Sequence, residues 1–514
     1  MTLGRTRAVG LKGIVGFIVD VEVDVSNGLP KFTVSGCPDS ACAQAPDRVK
    51  PAASNSGHAI PLQRVTVNLS PAAVPKCGSG FDLAICIAAL VACDKIAPEV
   101  VRDLIHIGEL GLDGTVRPVP GVLPLVLAAA RAGIRHAVVP VSNATEARLV
   151  PGIQVHPVAN LAELVQRYAC LHQGLRPAPV EEPAPATTAA ARRPPDLVDV
   201  VGQFEGRQAL EVAAAGGHHL YMVGPPGSGK TMLAERLPGL LPTLDDAQAM
   251  EVTAISSVLG RIGQHAALER RPPFVAPHHG ASAVAIIGGG SSPVLPGAVS
   301  QAHHGVLFLD EAPEFNNSVI QALRQPIESG EVVVSRAVGQ HRFPCRFQLV
   351  LAANPCPCGF GWGKGVRCTC SSMQLTRYQN RLKGPVLDRV DIQVFVPAPS
   401  RAALVVEPGE PSAVVAARVL EARNCQAARW AGSSWRLNGH APGPILRAGR
   451  FRLPRHVTRP ADAAFDRGQL TMRGYDRCLR LAWTLCDLRG GDSPDPDDMG
   501  RALVLRQPDV MAGF

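Results

Sequence analysis

The stretch "HHLYMVGPPGSGKTMLAERL", residues 218–237, indicates the class of fold more clearly than any other part of the chain. A short apolar run is followed by a glycine-rich turn and then by a helix-forming segment. The turn fits G-x-x-x-x-G-K-[ST], in which backbone N–H groups face the phosphates of a nucleotide. With a strand before it and a helix after it, we interpret it as a phosphate loop. We therefore assign nucleotide binding to Gly224, Pro225, Pro226, Gly227, Ser228, Gly229, Lys230 and Thr231.

Residue types further along the chain supply the partners that this loop needs. Lys230 would hold the β- and γ-phosphate oxygens, and the Thr231 hydroxyl would ligate Mg²⁺. The stretch "GVLFLDEAPEF", residues 305–315, reads as a buried strand that ends in two acids. Asp310 would hold Mg²⁺ through water, and Glu311 would orient or deprotonate the attacking water. The two motifs together predict an ATPase that uses ATP and Mg²⁺.

A third strand is predicted in "RFQLVLAANP", residues 346–355, and it ends in Asn354. An asparagine after a strand is usually a turn residue. Here it follows two phosphate-handling motifs, so we predict that its amide contacts the γ-phosphate or the attacking water.

At this point the chain resembles the ComM/YifB group of magnesium-chelatase-like AAA+ ATPases. The resemblance rests on residues 223–242, on "APHHGASAVAIIGGGSSPVLPGAVSQAHHGVLFLDEAPEF" and on "GPVLDRVDIQVFVP". It extends to "LSPAAVPKCGSGFDLAICIAAL" near the start and to "MRGYDRCLRLAWTLCDL" near the end, so it covers nearly the whole chain.

The resemblance implies a fold of three parts. A P-loop AAA+ core of class α/β, with a parallel sheet and helices on both faces, is expected at residues 197–400. An α+β Lon-protease-like domain at 1–173 precedes it, and a small helical domain at 401–514 follows it. The Pro- and Ala-rich stretch at 174–196 separates the first two as an extended linker.

The resemblance also assigns roles to two arginines. Arg389, in "VLDR", is implied to be the arginine finger presented to the ATP of a neighbouring subunit, and Arg473 the second sensor. Each would place a guanidinium on the charge that develops at the γ-phosphate. A finger acting on a neighbour requires a ring, and related proteins form hexamers.

The resemblance implies that the motor acts on branched or single-stranded DNA, in ATP-driven branch migration during recombination and natural transformation. A formal net charge of +8 agrees modestly with this. The alternatives are a chelatase-type ATPase subunit that drives metal insertion, and a Lon-like protease. Lon peptidases need a serine activated by lysine, but Gly80 stands where that serine belongs and Ser79 is one place off.

Composition and patterning indicate a location in the cytoplasm without membrane association. The longest apolar run that we find, residues 83–93, is about half of the ~20 residues that a spanning helix needs. The early basic residues pass into alternating valines and acids without a cleavage site, which argues against a secretory signal.

Two segments carry weaker indications of further sites. Cys356, Cys358, Cys368 and Cys370 form two C-x-C pairs separated by nine residues, and could bind Zn²⁺ or form a reduced thiol loop. Both interpretations stay open. The glycine-rich stretch at residues 277–298 is predicted to lie outside the core as projecting hairpins. The histidine pairs at 278–279 and 303–304 lack evident acidic partners and are weak candidates for a metal site.

Overall fold

The computed structural model describes residues 3–176, 194–262, 267–290, 293–336, 339–361, 367–382, 386–398 and 409–506. Most of the predicted linker at 174–196 lies outside these ranges, as does the start of the predicted C-terminal domain.

The N-terminal part is built on a mixed seven-stranded sheet in the order β3-β4-β2-β1-β5-β8-β9. The alternation of valines and acids predicted one of its strands, and valines 19, 21 and 23 are fully buried while their acidic neighbours face outward. The predicted apolar helix is also present and is buried along its whole length. The elements are β1 (Leu3–Lys12), β2 (Val15–Ser26), β3 (Lys31–Ser35), α1 (Ser40–Ala43), α2 (Ala45–Asn55), β4 (Arg64–Ser70), α3 (Asp82–Ala92), α4 (Pro98–Val101), β5 (Leu104–His106), β6 (Glu109–Leu110), β7 (Val116–Arg117), α5 (Val122–Arg131), β8 (His136–Pro140), α6 (Ala144–Ala147), β9 (Gln154–Val158) and α7 (Leu161–His172).

The central part contains a parallel five-stranded sheet in the order β11-β14-β17-β10-β18. The three strands predicted from the motifs lie side by side in its middle. Two antiparallel hairpins form separate two-stranded sheets, and the second one packs on this sheet through Val332, Val334 and Phe343. The elements are α8 (Phe204–Gly216), β10 (Leu220–Val223), α9 (Lys230–Ala234), α10 (Asp246–Val258), β11 (Phe274–Val275), α11 (Ala283–Ile287), β12 (Gly288–Gly289), β13 (Leu295–Pro296), α12 (Ala298–Gln301), β14 (Val306–Leu309), α13 (Asn317–Ala322), α14 (Arg324–Ser329), β15 (Glu331–Arg336), β16 (Gly339–Pro344), β17 (Gln348–Ala353), α15 (Ser372–Asn380) and β18 (Ile392–Phe395).

The C-terminal part is helical and shares one hydrophobic core with a face of the parallel sheet. Its side chains also satisfy the last carbonyl groups of α8, which a helix end leaves without intrahelical partners. Arg423 donates to Ala214 O at 2.8 Å and Gln426 donates to Ala215 O at 3.1 Å. The elements are α16 (Ser412–Arg429), α17 (Gly443–Leu446), α18 (Arg455–Asp466), α19 (Met472–Leu488) and α20 (Pro496–Arg506).

The opposite face of the parallel sheet packs on a second core, which corrects one prediction. The glycine-rich stretch at 277–298 contributes to this core, because Ile286, Val294 and Ala298 are buried in it. A hairpin does form there, with Gly289 paired to Leu295. The stretch is therefore half core and half hairpin, since its few apolar residues are placed where they reach the sheet.

Helix α10 joins the N-terminal part to the parallel sheet. Its Ala254 is buried in a core made mainly by α5 and the neighbouring strands. The Ser257 carbonyl accepts a hydrogen bond of 3.0 Å from Gly121 N, and its hydroxyl contacts the buried Glu146. The fold class predicted from the sequence is confirmed, while the residue limits proposed for its three parts stay predictions.

Candidate active site

The glycine-rich turn wraps from the end of β10 to the start of α9. Gly227 and Gly229 have φ angles of +73° and +91°, which only glycine adopts readily. A Cβ on Gly224 would lie 2.1 Å from the Val396 carbonyl oxygen, so this position also excludes larger residues. Local sequence thus determines a loop whose backbone amides precede a helix N-terminus.

Lys230 lies folded within this loop. Its Nζ donates to Gly224 O at 2.8 Å and to Pro225 O at 2.9 Å, and the residue is 8% exposed. Burial lowers the pKa of the ammonium, and the carboxylates of Asp310 and Glu311 oppose that shift. The ammonium is thus held inside the glycine-rich loop, beside Asn354.

The predicted magnesium ligands meet at the carboxyl ends of β10 and β14. Thr231 Oγ1 donates to Asp310 Oδ2 at 2.8 Å, which places a hydroxyl and a carboxylate beside the phosphate loop. Oxygen donors of this kind are what Mg²⁺ prefers, and it usually binds protein through one or two such groups. The donor set therefore fits Mg²⁺.

Glu311 is held in an unusual backbone conformation. Its φ is +50°, which is uncommon for a residue with a side chain, and its N–H donates to Asp310 Oδ1 at 2.9 Å. His279 Nδ1 lies 3.5 Å from Glu311 Oε2. This backbone turn directs the carboxylates of Asp310 and Glu311 differently, so that the two acids can serve different tasks.

Asn354 completes this edge of the sheet. Strand β17 lies between β14 and β10, so the residue that follows it stands between the acids and the loop. Asn354 Oδ1 accepts a hydrogen bond of 3.3 Å from Lys230 Nζ. Its backbone N–H donates to the hydroxyl of Tyr378, a buried residue of α15. The side chain of Asn354 is therefore held by Lys230, and its backbone is held by Tyr378.

The two predicted arginines lie away from the phosphate loop. Arg389 ends a 3₁₀ turn just before β18, and its guanidinium pairs with Glu328 of α14. Strand β18 runs parallel to β10, with Ile392 level with Leu220. Arg389 is therefore at the amino edge of the sheet, whereas the loop is at the carboxyl edge, roughly 10 Å of strand away.

Arg473 is exposed in the first turn of α19. Four residues later, Arg477 donates to the Asp388 carbonyl oxygen at 2.8 Å and pairs with buried Asp391. Because positions four apart lie on one helix face, α19 starts near the amino edge that also carries Arg389.

The four predicted cysteines come together beside this site. Their sulfur atoms all lie within 4.8 Å of one another. Hydrogen bonds from the backbone N–H groups of Phe360 and Thr369 lower the pKa of the Cys358 thiol to about 6.

Sequence reasoning missed one neighbour of the site, Tyr378, and considered His279 only as a weak metal-site candidate. The fold brings these two residues to Asn354 and Glu311, and nothing in the local pattern shows these contacts.

Away from the phosphate loop, Glu251 of α10 accepts hydrogen bonds of 2.9 and 3.0 Å from His303 and His304. The second histidine pair thus has an acidic partner after all. Its arrangement is structural, because His303 Nδ1 accepts from a backbone N–H, which leaves the proton on the Nε2 that faces Glu251.

Ser79 and Lys76 do not form a serine–lysine dyad. The Ser79 hydroxyl is directed to Glu109, and the buried Lys76 ammonium is directed to the carbonyl oxygen of Pro71. A dyad would need the lysine nitrogen to accept the serine proton. This arrangement argues against the protease alternative.

Comparison with known sequences agrees with this geometry. The chain matches three family descriptions: "Magnesium chelatase, subunit ChlI" over residues 196–404, "Subunit ChlI of Mg-chelatase" over 21–143, and "Magnesium chelatase, subunit ChlI C-terminal" over 409–506. The molecule is thus of the magnesium-chelatase-like AAA+ class, in which ATP binding is a family property.

Full-length relatives define the family more narrowly. The chain is 47% identical over 507 residues to the uncharacterized protein Rv2897c of Mycobacterium tuberculosis, covering 99% of each chain. It is 39% identical over 516 residues to YifB of Escherichia coli, covering 99% of this chain and 97% of that one. It is 40% identical over 509 residues to competence protein ComM of Haemophilus influenzae, covering 98% of each. The chain belongs to the ComM/YifB family.

Two smaller findings complete the comparison. A stretch of 135 residues is 29% identical to a Lon protease of Trichlorobacter lovleyi, covering 25% of this chain and 16% of that protein, in keeping with a Lon-like domain. Among the described residues, none of the helices is both long and apolar enough to traverse a bilayer.

Proposed function

We propose that this chain hydrolyses ATP and uses the energy to move DNA, as a ring-forming, ComM-like branch-migration motor of the cytoplasm. One observation carries the proposal. Lys230, Thr231, Asp310 and Asn354 arise from three separate segments and meet at the carboxyl edge of one parallel sheet, with Glu311 beside them.

Each residue of this edge has a task in phosphoryl transfer. Lys230 would neutralise the β- and γ-phosphate oxygens, and Thr231 and Asp310 would hold Mg²⁺, which supplies further positive charge beside the phosphates. Glu311 would orient the attacking water and take its proton, while Asn354 would position that water or the γ-phosphate. His279 lies close enough to Glu311 to hold its carboxylate in place.

A ring is supported by the position of Arg389. Because it lies at the edge opposite its own phosphate loop, it can act as a finger only on the ATP of a neighbouring subunit. Its pairing with Glu328 is partly open to solvent, since that carboxylate is 60% exposed while the Arg389 side chain is 14% exposed. Arg473 starts from the same region, so we assign the second sensor to the neighbouring site as well. Six subunits are the number that the family resemblance suggests.

DNA as the substrate is supported by the two hairpins and by the relatives. Arg336 at the end of β15 donates to Gly290 O beside β12 at 3.2 Å, so the hairpins stand next to each other. Arg336 and Arg342 are the basic side chains of the second hairpin, and Arg342 also pairs with Glu331 across it at 2.8 Å. Such side chains suit the phosphate backbone of DNA in a pore. One relative is also named as a competence protein.

The test is ATP hydrolysis by the purified full-length chain with single-stranded, duplex and four-way DNA at two salt concentrations. We expect four-way DNA to stimulate hydrolysis and a labelled strand to leave a synthetic Holliday junction. The Lys230→Ala variant should lose both activities, while Lys31→Ala, which removes an exposed lysine of β3, should keep both. Hydrolysis that no DNA stimulates, with no strand moved, would refute the DNA motor and favour a chelatase-type role.

A further inference from the structure

We propose that Cys356, Cys358, Cys368 and Cys370 bind one zinc ion and that the zinc-bound loop holds the phosphate loop and Asn354 in position. The residues between the two pairs that the structure describes are 359–361 and 367. The proposed function does not use these cysteines.

The sulfur positions match a single tetrahedral ion. The Sγ–Sγ distances are 3.3 Å for Cys356–Cys358, 3.8 Å for Cys356–Cys368 and 3.7 Å for Cys358–Cys368. Zinc bound by four thiolates at about 2.3 Å would place its ligands about 3.8 Å apart. A disulfide would need about 2.05 Å, so these contacts are not disulfides. An iron–sulfur cluster, whose ligands surround several atoms, would spread the sulfurs further.

Backbone groups around the sulfurs complete a ligand environment. Gly361 N donates to Cys356 Sγ at 3.0 Å, and the N–H groups of Phe360 and Thr369 point to Cys358. Such hydrogen bonds orient metal-bound thiolates and disperse their charge. The chain must pass very close to do this, since a Cβ on Gly361 would lie 3.0 Å from Cys356 Sγ.

The loop also packs directly on the nucleotide site. Gly359, with φ of +80°, lies so close to Pro226 of the phosphate loop that a Cβ would be 2.6 Å from the proline Cγ. Cys356 is two residues beyond Asn354, whose N–H is held by Tyr378. A metal that fixes this loop would therefore fix one wall of the phosphate loop and the end of β17. Without a metal the four thiols would not be joined to one another. The loop that makes these contacts would then have a higher conformational entropy.

The metal site is tested on untagged full-length protein purified from zinc-containing medium. Elemental analysis should find about one zinc per chain, and a mercurial that titrates thiols should release it into a chromogenic chelator. The Cys358→Ser/Cys368→Ser double variant should contain less than about a tenth of that zinc, whereas Cys425→Ser, at an exposed thiol of α16, should retain all of it. The proposal would be overturned if these four thiols are free in the wild-type protein and no stoichiometric zinc is found. This readout does not require ATP hydrolysis, so it stands apart from the proposed function.

The bracing role is tested by Gly359→Ala, measured by binding of a fluorescent ATP analogue. The added methyl group must displace Pro226, so we expect the affinity for the ATP analogue to fall roughly tenfold. The four cysteines are unchanged, so zinc should be retained. The matched control is Gly133→Ala, where φ is +81° and no atom lies within 4 Å of the added Cβ. This control imposes the same backbone strain far from the loop and should bind the analogue normally. Equal affinity in the two variants would show that the zinc loop does not brace the site.

Discussion

The two sheets of this molecule differ in the polar side chains at the carboxyl ends of their strands. In the seven-stranded sheet these side chains form internal networks, in which His106 contacts Thr6 at 2.9 Å and Tyr168 at 2.5 Å. The five-stranded sheet has an internal network at its amino edge, around the buried Asp391, but beyond its carboxyl edge Lys230 contacts Asn354 and Thr231 contacts Asp310. Both sheets are packed against helices and joined by glycine-containing turns, so the presence of a sheet alone does not define a function. The function depends on where the polar side chains lie relative to the ends of the strands.

The largest expected effect comes from the open edge of the five-stranded sheet. Lys230→Ala removes the ammonium that we propose neutralises the phosphates, so ATP turnover should fall by about 10³-fold or more. Stability should hardly change, because its partners Gly224 O and Pro225 O can be solvated in the loop. Steady-state hydrolysis and thermal unfolding measure the two quantities. A variant that turns over at a tenth of the normal rate would contradict the assignment of this loop.

The second effect concerns the amino edge of the same sheet. If Arg389 is the proposed finger, Arg389→Ala should lower turnover by roughly 10³-fold and leave ATP affinity unchanged, because the guanidinium would act on the neighbour's transition state. Arg381→Ala is the matched control, since it also removes an exposed arginine–glutamate pair, with Glu314. Binding of a fluorescent ATP analogue separates affinity from turnover. Loss of binding in Arg389→Ala would mean that the residue is structural.

The closed networks should govern stability instead of activity. Arg48 donates to both carboxylate oxygens of the fully buried Asp82, at 2.6 and 2.9 Å. Arg48→Met leaves that carboxylate without its partner, and we expect a loss of about 3 kcal/mol in the N-terminal domain. Hydrogen exchange of the α3 amides measures the loss.

A double substitution checks this explanation. Arg48→Met combined with Asp82→Leu removes both charges, so it should recover most of the stability lost in the single variant. If the double variant is as unstable as the single one, packing and not charge is responsible.

The smallest effect near neutral pH is a pH dependence of the stability of the seven-stranded sheet. Burial lowers the pKa of His106 to about 3, while an unfolded histidine titrates near 6.5. The unfolded state therefore binds an extra proton between these values, and stability should fall as pH falls from about 6.5 towards 3, by up to about 1.4 kcal/mol per pH unit. Protection of the β5 amides measures this slope. His106→Gln should reduce the dependence of stability on pH, whereas the exposed His456→Gln should not. Equal pH dependences in the two variants would show that His106 is not the cause.

Much of the site could be predicted because its determinants are local. A strand, a glycine turn and Lys230 are contiguous, and Asp310 and Asn354 directly follow apolar runs. Parallel strands then bring their ends together without further information. The parts that escaped prediction depend on contacts between distant segments. Tyr378 reaches Asn354 from another helix, and the carboxylate of Glu251 meets two histidines across the fold.

The same reasoning explains the one structural error. The stretch at 277–298 has the overall composition of a loop, but an overall composition does not show where the few apolar residues lie. Ile286 and Val294 are few, but they lie where they complete a core. The arginines illustrate a different limit, because a motif assigns Arg389 a role but does not show which edge of the sheet it occupies. That position separates action on its own ATP from action on a neighbour's.

The most direct test of the account mixes two inactive variants. Lys230→Ala lacks a working phosphate loop but keeps Arg389, and Arg389→Ala has the reverse. If the finger acts on the neighbouring subunit, an equal mixture that exchanges subunits should recover hydrolysis at about a quarter of the sites, where an intact loop meets an intact finger. A mixture that stays as inactive as its components, in rings shown to exchange subunits, would contradict a site shared between subunits.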